Sequence, residues 1–286
     1  MKRRRLTPYA LMSPGLFWLL IFFAIPMAFM LIVALEEGSI DTGFSLTWQF
    51  ANFTESVGDF STQFGRSFKF SIIATILCLL IAYPLAYAIA FKSGRWKNLM
   101  LFAVVAPFFT TYLIRTLAWQ TILTDSGTIA DIARFFAFIP EDGKLLDTDF
   151  SVIMGITYNF LPFMVLPIYA SLEQLDERLI EAAKDLYSSA RSAFVKVTLP
   201  LSAPGIIAGT LLTFIPAFGD YVNATFLGGP NQAMIGNVIQ DQYLRTQNYP
   251  TAAALSFVVM AVILAIVLLY IRFAGSESLM GEDQVP

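Results

Sequence analysis

Long apolar runs without a single charge alternate with short charged segments along the whole chain. Each run has, or nearly has, the ~20 apolar residues that a helix needs to cross a bilayer. The pattern therefore predicts an all-α membrane protein with six transmembrane helices in one domain, residues 1–286. The expected spans are 9–35, 68–91, 98–123, 150–172, 200–226 and 250–273.

Composition agrees with this pattern. Only 14% of the residues are charged, where a soluble domain would have about 25%. The first apolar run, Leu6–Leu35, follows a basic start and has 30 residues. The apolar region of a signal peptide has only about 7–15 residues. We therefore expect the first run to be an uncleaved span.

The positions of Lys and Arg predict the orientation of the helices. With the N-terminus inside, the inner segments hold twelve of the 18 basic residues and the outer segments hold five. Because basic residues concentrate in cytoplasmic loops, both termini and the segment 173–199 are expected in the cytoplasm. The outer segments carry twelve acidic residues, which would concentrate a cation at the mouth of a pore.

Several kinds of site are excluded by residues that the sequence lacks. It has no histidine, one cysteine and no G-x-x-x-x-G-K-[ST] motif. Zinc centres, histidine triads and disulfides therefore lack their residues, and the chain has no phosphate-binding loop of its own. We expect a protein that is not an enzyme, in which Cys78 is a small buried apolar side chain.

The segment 173–199 is predicted to contain an amphipathic helix capped by Asp176. The charged residues of its polar face are of both signs. A helix lying on lipid headgroups would carry mainly Lys and Arg, so docking into a groove of another protein is favoured over docking on the membrane surface. The apolar face consists of Leu175, Leu179, Ala182, Leu186 and Tyr187.

The same segment resembles the EAA loop of ABC-importer permeases. The matching residues are Glu181-Ala182-Ala183, followed after three residues, a turn position at Tyr187 and nine further residues by Val197-Thr198-Leu199-Pro200. Tyr187 stands where this family usually has a glycine, so the turn is expected to be wider or to gain an aromatic contact.

This resemblance implies the type I, MetI-like permease fold, with a cytoplasmic coupling helix that docks into an ATPase. It implies a dimer of ABC ATPases that holds ATP and Mg²⁺, a second permease subunit and an extracytoplasmic substrate-binding protein as partners, and no nucleic acid. The chain itself would need no cofactor and would lie in the inner membrane. The residues that would contact the ATPase are Glu181, Ala182, Ala183, Leu186, Tyr187, Leu199 and Pro200.

Three further segments, Leu113–Gly127, Tyr158–Asp176 and Phe218–Ile239, resemble the PotB/PotH-type permeases of spermidine/putrescine importers. This resemblance implies half of a translocation pore for polyamines. Permeases for ferric iron or phosphonates belong to the wider subfamily and remain alternatives. Without the resemblance, the rivals are a secondary transporter, a channel or a membrane-embedded enzyme.

Two ionisable residues inside the spans are candidates for the substrate pathway. Arg115 and Asp220 each lie sixteen residues past the start of an outward-running helix, which places both at ~24 Å from the inner surface. Three alternatives remain open: the two residues pair with each other, Asp220 faces the pore and attracts an ammonium group while Arg115 lies elsewhere, or their positions are unrelated. Aromatic residues at similar depths could offer cation–π contacts to a polyamine, or could simply mark the membrane interface. These are Tyr112, Trp119, Tyr158, Phe160 and Tyr221.

Overall fold

The computed structural model describes residues 7–136, 140, 143–176, 178–179, 181–182 and 189–274. Almost all of its regular structure is helical, and one short hairpin is the exception. The helices are α1 Thr7–Leu19, α2 Ile25–Ala34, α3 Ala51–Asp59, α4 Ser61–Phe91, α5 Lys97–Val105, α6 Tyr112–Ile122, α7 Thr128–Phe135, α8 Asp149–Glu173, α9 Ala190–Ala193, α10 Leu199–Leu201, α11 Ala203–Phe218, α12 Val222–Leu227, α13 Ile235–Leu244 and α14 Tyr249–Ala274. The strands are β1 Glu36–Ser39 and β2 Gly43–Leu46.

Four helices of the described chain are long and apolar enough to cross a membrane. They are Leu11–Ala34, Ser61–Phe91, Asp149–Glu173 and Tyr249–Arg272. Two further spans are present if each of two bent helix pairs counts as one, which makes up to six. A mainly helical membrane protein, as the sequence predicts, is therefore confirmed.

The third expected span, 98–123, is broken rather than straight. Helical residues Gly94–Phe109 and Tyr112–Ile122 meet at 94°. Pro107 lies in a 3₁₀ turn, and Thr110 and Thr111 are extended before Thr111 caps α6 by accepting from the Ile114 amide at 3.4 Å. The depth estimate for Arg115 assumed a straight helix, so it does not hold.

The fifth expected span, 200–226, also consists of separate helices. Ala190–Leu201, which we call the elbow segment, meets Ala203–Phe218 at 62°. The helix α11 then ends at Gly219, and α12 begins at Val222. The break between α11 and α12 contains Asp220, which the sequence pattern placed inside a continuous helix.

The chain divides into two compact units, of which the first contains the described residues of 7–61 together with 238–262. Ala34, Ala253 and Ala254 form its small buried core. The Asn52 side-chain amide donates to the carbonyls of Ala34 and Glu36, both at 3.0 Å, and thereby joins α3 to the start of the β1–β2 hairpin.

The second unit contains the described residues of 62–237 together with 263–274. In this unit α8 and α11 pack closely against each other, because two positions of α11 that face α8 are glycines and have no side chain. A Cβ on Gly205 would lie 2.6 Å from the Pro167 carbonyl oxygen, and one on Gly209 would lie 2.9 Å from the Met164 sulfur. Because these glycines are four positions apart, they form one flat stripe that lets the two helices approach.

Two apolar clusters fill the second unit. One joins α4, α8, α11 and α12 around Phe70, Ile156 and Leu227, and the other joins α4 and α8 around Ile89 and Met164. Cys78 belongs to the second cluster, is fully buried, and donates to the Thr157 carbonyl at 3.3 Å. The interpretation of Cys78 as a small buried side chain is therefore confirmed.

Candidate functional site

Asp220 is a buried carboxylate in the break between α11 and α12, with 6% of its surface exposed. The Asn223 main-chain amide donates to Asp220 Oδ1 at 2.8 Å, which satisfies one of the unpaired amides at the start of α12. The Asn223 side-chain amide donates to Asp220 Oδ2 at 2.8 Å, and the Tyr112 hydroxyl donates to the same oxygen. Neutral donors thus bond both carboxylate oxygens, and none of the ion pairs within 4.0 Å among the described residues involves Asp220.

The hydrogen bonds extend from Asp220 to α6 and α8. Asn223 Nδ2 also donates to the Tyr112 hydroxyl at 2.6 Å. The side-chain oxygen of Asn223, Oδ1, accepts from Asn159 Nδ2 at 3.1 Å and from the Thr116 hydroxyl at 3.4 Å. We call Asp220, Asn223, Tyr112, Asn159 and Thr116 the Asp220 network. Since a buried polar group is costly without partners, the network specifies how α6, α8 and α12 fit together.

Arg115 lies beside this network and does not pair with Asp220. Its guanidinium carbon lies 5.1 Å from the centre of the Phe108 ring and 5.7 Å from that of Tyr112. It is 7% exposed, and its Nε and Nη1 have no hydrogen-bond partner among the described residues. The ion pairs within 4.0 Å in the described structure do not include Arg115 with Asp220.

The aromatic candidates fall into three environments. Tyr112 contacts Phe160 with ring centres 6.0 Å apart, next to Asp220. Trp119 and Tyr158 contact each other edge to face at 5.4 Å, and both are half-buried. Tyr221 follows Asp220 directly but is 43% exposed. The structure therefore brings Tyr112, Phe160, Arg115 and Asp220 together and leaves the other three candidates apart from the carboxylate.

The predicted ATPase-contacting helix begins as the sequence indicates. Asp176 Oδ1 accepts from the Arg178 amide at 2.9 Å, which confirms Asp176 as its cap. Glu181 and Ala182 are helical and exposed. The other three residues predicted on this helix, Ala183, Leu186 and Tyr187, lie outside the described residues.

The elbow segment connects this region to α11 and packs on α4. Phe194 contacts the ring of Tyr83 edge to face at 5.6 Å and that of Tyr87 at 6.0 Å. The Tyr83 hydroxyl is 2.9 Å from the hydroxyl of Ser202, at the bend between the elbow segment and α11. Leu199 is half-buried here and Pro200 is exposed. A cavity of about 290 Å³ remains between these elements.

Sequence reasoning missed three members of the Asp220 network: Thr116, Asn159 and Asn223. All three are buried, and Asn159 Oδ1 has no partner among the described residues. None of the three is ionisable or aromatic. An amide side chain within a charge-free span is also costly to bury, so Asn159 in the run Phe150–Leu172 was a signal that could have been used.

Comparison with known proteins agrees with this architecture. Residues 82–275 match the family described as binding-protein-dependent transport system inner membrane component. The chain is 36% identical over 258 residues to the spermidine/putrescine transport system permease protein PotB of Haemophilus influenzae, covering 89% of this chain and 90% of that protein. It is 37% identical to PotB of Escherichia coli, covering 72% and 75%. It is 30% identical to the inner membrane ABC transporter permease protein YdcU of E. coli, covering 74% and 71%.

Solved structures show the same fold. A chain of the bacterial alginate ABC transporter, solved in complex with an alginate pentasaccharide-bound periplasmic protein, superimposes with a TM-score of 0.69 at 19% identity. The alignment covers 96% of both chains. The family match extends over more than half of the chain, and two PotB proteins are 36% and 37% identical to it over alignments that cover 89% and 72% of its length. This protein therefore belongs to the family of binding-protein-dependent transport system inner membrane components.

Proposed function

We propose that this chain is one of two permease subunits in an ATP-driven importer of polyamines such as spermidine and putrescine. The observation that carries this proposal is the 36% identity to a spermidine/putrescine permease across 89% of the chain and 90% of that relative. The family match over residues 82–275 also includes the segment 173–199.

The partners follow from the family and from the loop. The name of the family includes a binding protein, which would deliver the cargo from outside the membrane. Since the chain has no phosphate-binding loop, ATP and Mg²⁺ would be held by a separate ATPase dimer, and a second, related permease would complete the pore. The excess of Lys and Arg in the inner segments supports cytoplasmic termini.

Coupling to ATP hydrolysis would pass through the elbow segment. A helix that contains the exposed Glu181 and Ala182 is available for docking on the ATPase. Movement of that helix would reach α11 through the elbow segment, whose Phe194 contacts the rings of Tyr83 and Tyr87. The apolar cavity of about 290 Å³ beside it leaves room for such a shift.

Within the pathway, Asp220 would attract an ammonium group of the cargo. In the present conformation the Tyr112 hydroxyl occupies one oxygen of the carboxylate. An arriving ammonium would replace this hydroxyl as the donor, because a charged donor bonds a carboxylate more strongly than a neutral one. Tyr112 and Phe160 would then offer their rings to the cation and to the methylene groups next to it.

One observation favours a second candidate cargo, an anion such as a phosphonate. Arg115 is buried and has two N–H groups without partners in the described structure. A guanidinium in that state is suited to bind an oxyanion with two parallel hydrogen bonds. Asp220 would oppose such a cargo, and the similarity to polyamine permeases makes a cation the first choice.

The deciding experiment reconstitutes this chain with its second permease, the ATPase and the binding protein in proteoliposomes. ATP hydrolysis and uptake are measured with binding protein loaded with spermidine, putrescine, ferric iron or methylphosphonate. We expect polyamine-loaded protein alone to stimulate both. Stimulation by ferric iron or methylphosphonate instead would contradict the polyamine assignment, and uptake without ATP would support a secondary transporter.

A further inference from the structure

The unit formed by the described residues of 7–61 and 238–262 contains a cavity of about 440 Å³. Its volume lies in the range of about 300–1,000 Å³ that is usual for small-molecule sites. Apolar side chains of α2 and α14, among them Met30, Val33 and Ala253, form much of its wall. The Ser256 hydroxyl, which also lines the cavity, is already bonded to the Ala252 carbonyl at 2.8 Å. The wall therefore suits a hydrocarbon chain.

Among the described residues that line this cavity, Glu36 is the one that carries a charge. It is half-buried, and its carboxylate has no ion pair or hydrogen bond with the described residues. Its main chain is held in place by pairing with Leu46 in the hairpin and by the Asn52 amide, which donates to its carbonyl at 3.0 Å. Because a partly buried anion is costly without a partner, this fixed carboxylate favours a cationic ligand.

Aromatic rings add a second feature that suits a cation. Tyr243 and Tyr249 line the cavity together with Glu36, and their ring centres are 5.2 Å apart. Phe44 contacts Tyr249 at 5.5 Å and extends the aromatic surface. Aromatic faces attract ammonium groups and also pack against the methylene groups next to them. A carboxylate, two tyrosines and an apolar wall together match an ammonium group at the end of an alkyl chain.

We propose that this cavity binds a primary alkylammonium, with the ammonium group at Glu36 against the adjoining rings of Tyr243 and Tyr249 and the alkyl chain along α2 and α14. Two sources supply this chemistry: the polyamine cargo, or a phospholipid with an ethanolamine headgroup. Glu36 is the first charge after the run Leu6–Leu35, which places it where an apolar span meets the polar outer segment. The cargo alternative rests on the proposed function, whereas the lipid alternative does not.

The test uses the assembled transporter in nanodiscs of phosphatidylcholine and a photoreactive probe, a dodecylamine with a diazirine in its chain. We expect mass spectrometry to find the label on residues of α2 and α14 that line the cavity. The same chain ending in a hydroxyl should label at least about tenfold less, because it cannot make the charged hydrogen bond to Glu36. Equal labelling by amine and alcohol would overturn the proposal, as would no labelling because a partner subunit covers the cavity.

Variants connect the label to the named residues. Glu36→Gln should lower labelling by about tenfold, and Tyr243→Ser, a change at an exposed residue, should lower it as well. The matched control is Glu37→Gln, since Glu37 is the next residue of the same strand, is exposed, and does not line the cavity. A Glu36→Gln variant that labels as well as Glu37→Gln would contradict the assignment.

Competition distinguishes the two sources. Displacement of the probe by spermidine identifies the cargo, and displacement by phosphatidylethanolamine added to the nanodisc identifies the lipid. Displacement by neither would overturn the proposal. A transporter that does not import polyamines but shows Glu36-dependent labelling displaced by phosphatidylethanolamine would refute the proposed function and retain this site.

Discussion

The hydroxyl of Tyr112 donates a hydrogen bond to the carboxylate of Asp220, although 108 positions separate the two residues in the chain. Asn223 closes the arrangement by donating to the Tyr112 hydroxyl at 2.6 Å and to Asp220 at 2.8 Å. The start of α6 is thereby joined to the break between α11 and α12. A buried carboxylate is stabilised here by neutral donors, while the nearest candidate cation, Arg115, stacks on rings instead.

We expect Asp220→Asn to reduce polyamine uptake by about tenfold or more, since it removes the charge that would bind an ammonium group. The complex should still assemble. The new carbonyl can accept from the Asn223 main-chain amide, and the new amide can donate to the Tyr112 hydroxyl, so the bonds that are lost are those that Tyr112 and the Asn223 side chain donate to Oδ2. Uptake in proteoliposomes and the yield of the complex on size exclusion measure the two effects. Normal uptake by Asp220→Asn would remove this residue from the pathway.

Tyr112→Phe tests the hydroxyl separately from the charge. It leaves the carboxylate one donor short and should destabilise the complex by about 1–3 kcal/mol. Thermal unfolding of the purified complex measures this loss. If the network is purely structural, uptake per assembled complex should remain normal in both variants, whereas a role in cargo binding requires uptake to fall in Asp220→Asn.

Arg115→Gln should leave the assembly of the complex close to normal. Removing one partner of a buried ion pair would cost about 3–5 kcal/mol, but Arg115 makes no ion pair with Asp220 within 4.0 Å in the described structure. The loss of stability in Arg115→Gln should therefore be smaller than that cost. It should come from the contacts of the guanidinium with the rings of Phe108 and Tyr112. A loss of assembly that a charge-swapped double variant restores would show that the two residues do pair in the membrane.

Ala182→Arg should uncouple ATP hydrolysis from import. Ala182 is exposed on a helix, so the fold should tolerate the change, while a buried, unpaired charge in the ATPase groove should lower import by more than about tenfold. The control is Gln174→Arg, which adds the same charge at an exposed position before the Asp176 cap. Import at the level of the control would contradict docking by this helix.

Gly205→Ala should destabilise the complex by about 1–3 kcal/mol, because the added Cβ would overlap atoms of α8. Gly219→Ala makes the same chemical change where the structure has no atom within 4 Å of the added Cβ. Thermal unfolding of the two variants compares them directly. Equal stability would mean that α8 and α11 are not packed as closely as described.

Single cysteines in a Cys78→Ala background test the orientation. We expect a membrane-impermeant thiol reagent added outside to label a cysteine at Lys144 and not at Lys92 or Ser189, which are all exposed positions. After the membrane is permeabilised, all three should react. Labelling of Ser189→Cys from outside would reverse the orientation and exclude contact of the 173–199 loop with a cytoplasmic ATPase.

Much of the fold could be predicted from the sequence because its signals are local. A charge-free run of about 20 residues identifies a span whatever its neighbours are. Asp176 caps a helix by bonding an amide two positions away, so its role could be read from adjacent residues. The loop 173–199 could be recognised for the same reason, since its pattern lies within about twenty positions.

The candidate site depended on information that is not local. Along a straight helix, residue spacing gives the depth of a side chain in the membrane and the helix face on which it lies. It does not give the neighbour that the side chain contacts. Arg115 and Asp220 had matching depths in the sequence, yet the 94° break before α6 and the close approach of α8 and α11 at Gly205 and Gly209 decide the actual contacts. The sequence alone indicates which segments are apolar enough to cross a membrane, because that property depends on composition over a short run. Only the tertiary structure decided that Asp220 meets Tyr112, Asn223 and their neighbours, because hydrogen bonds form between atoms that helix packing brings within about 3 Å.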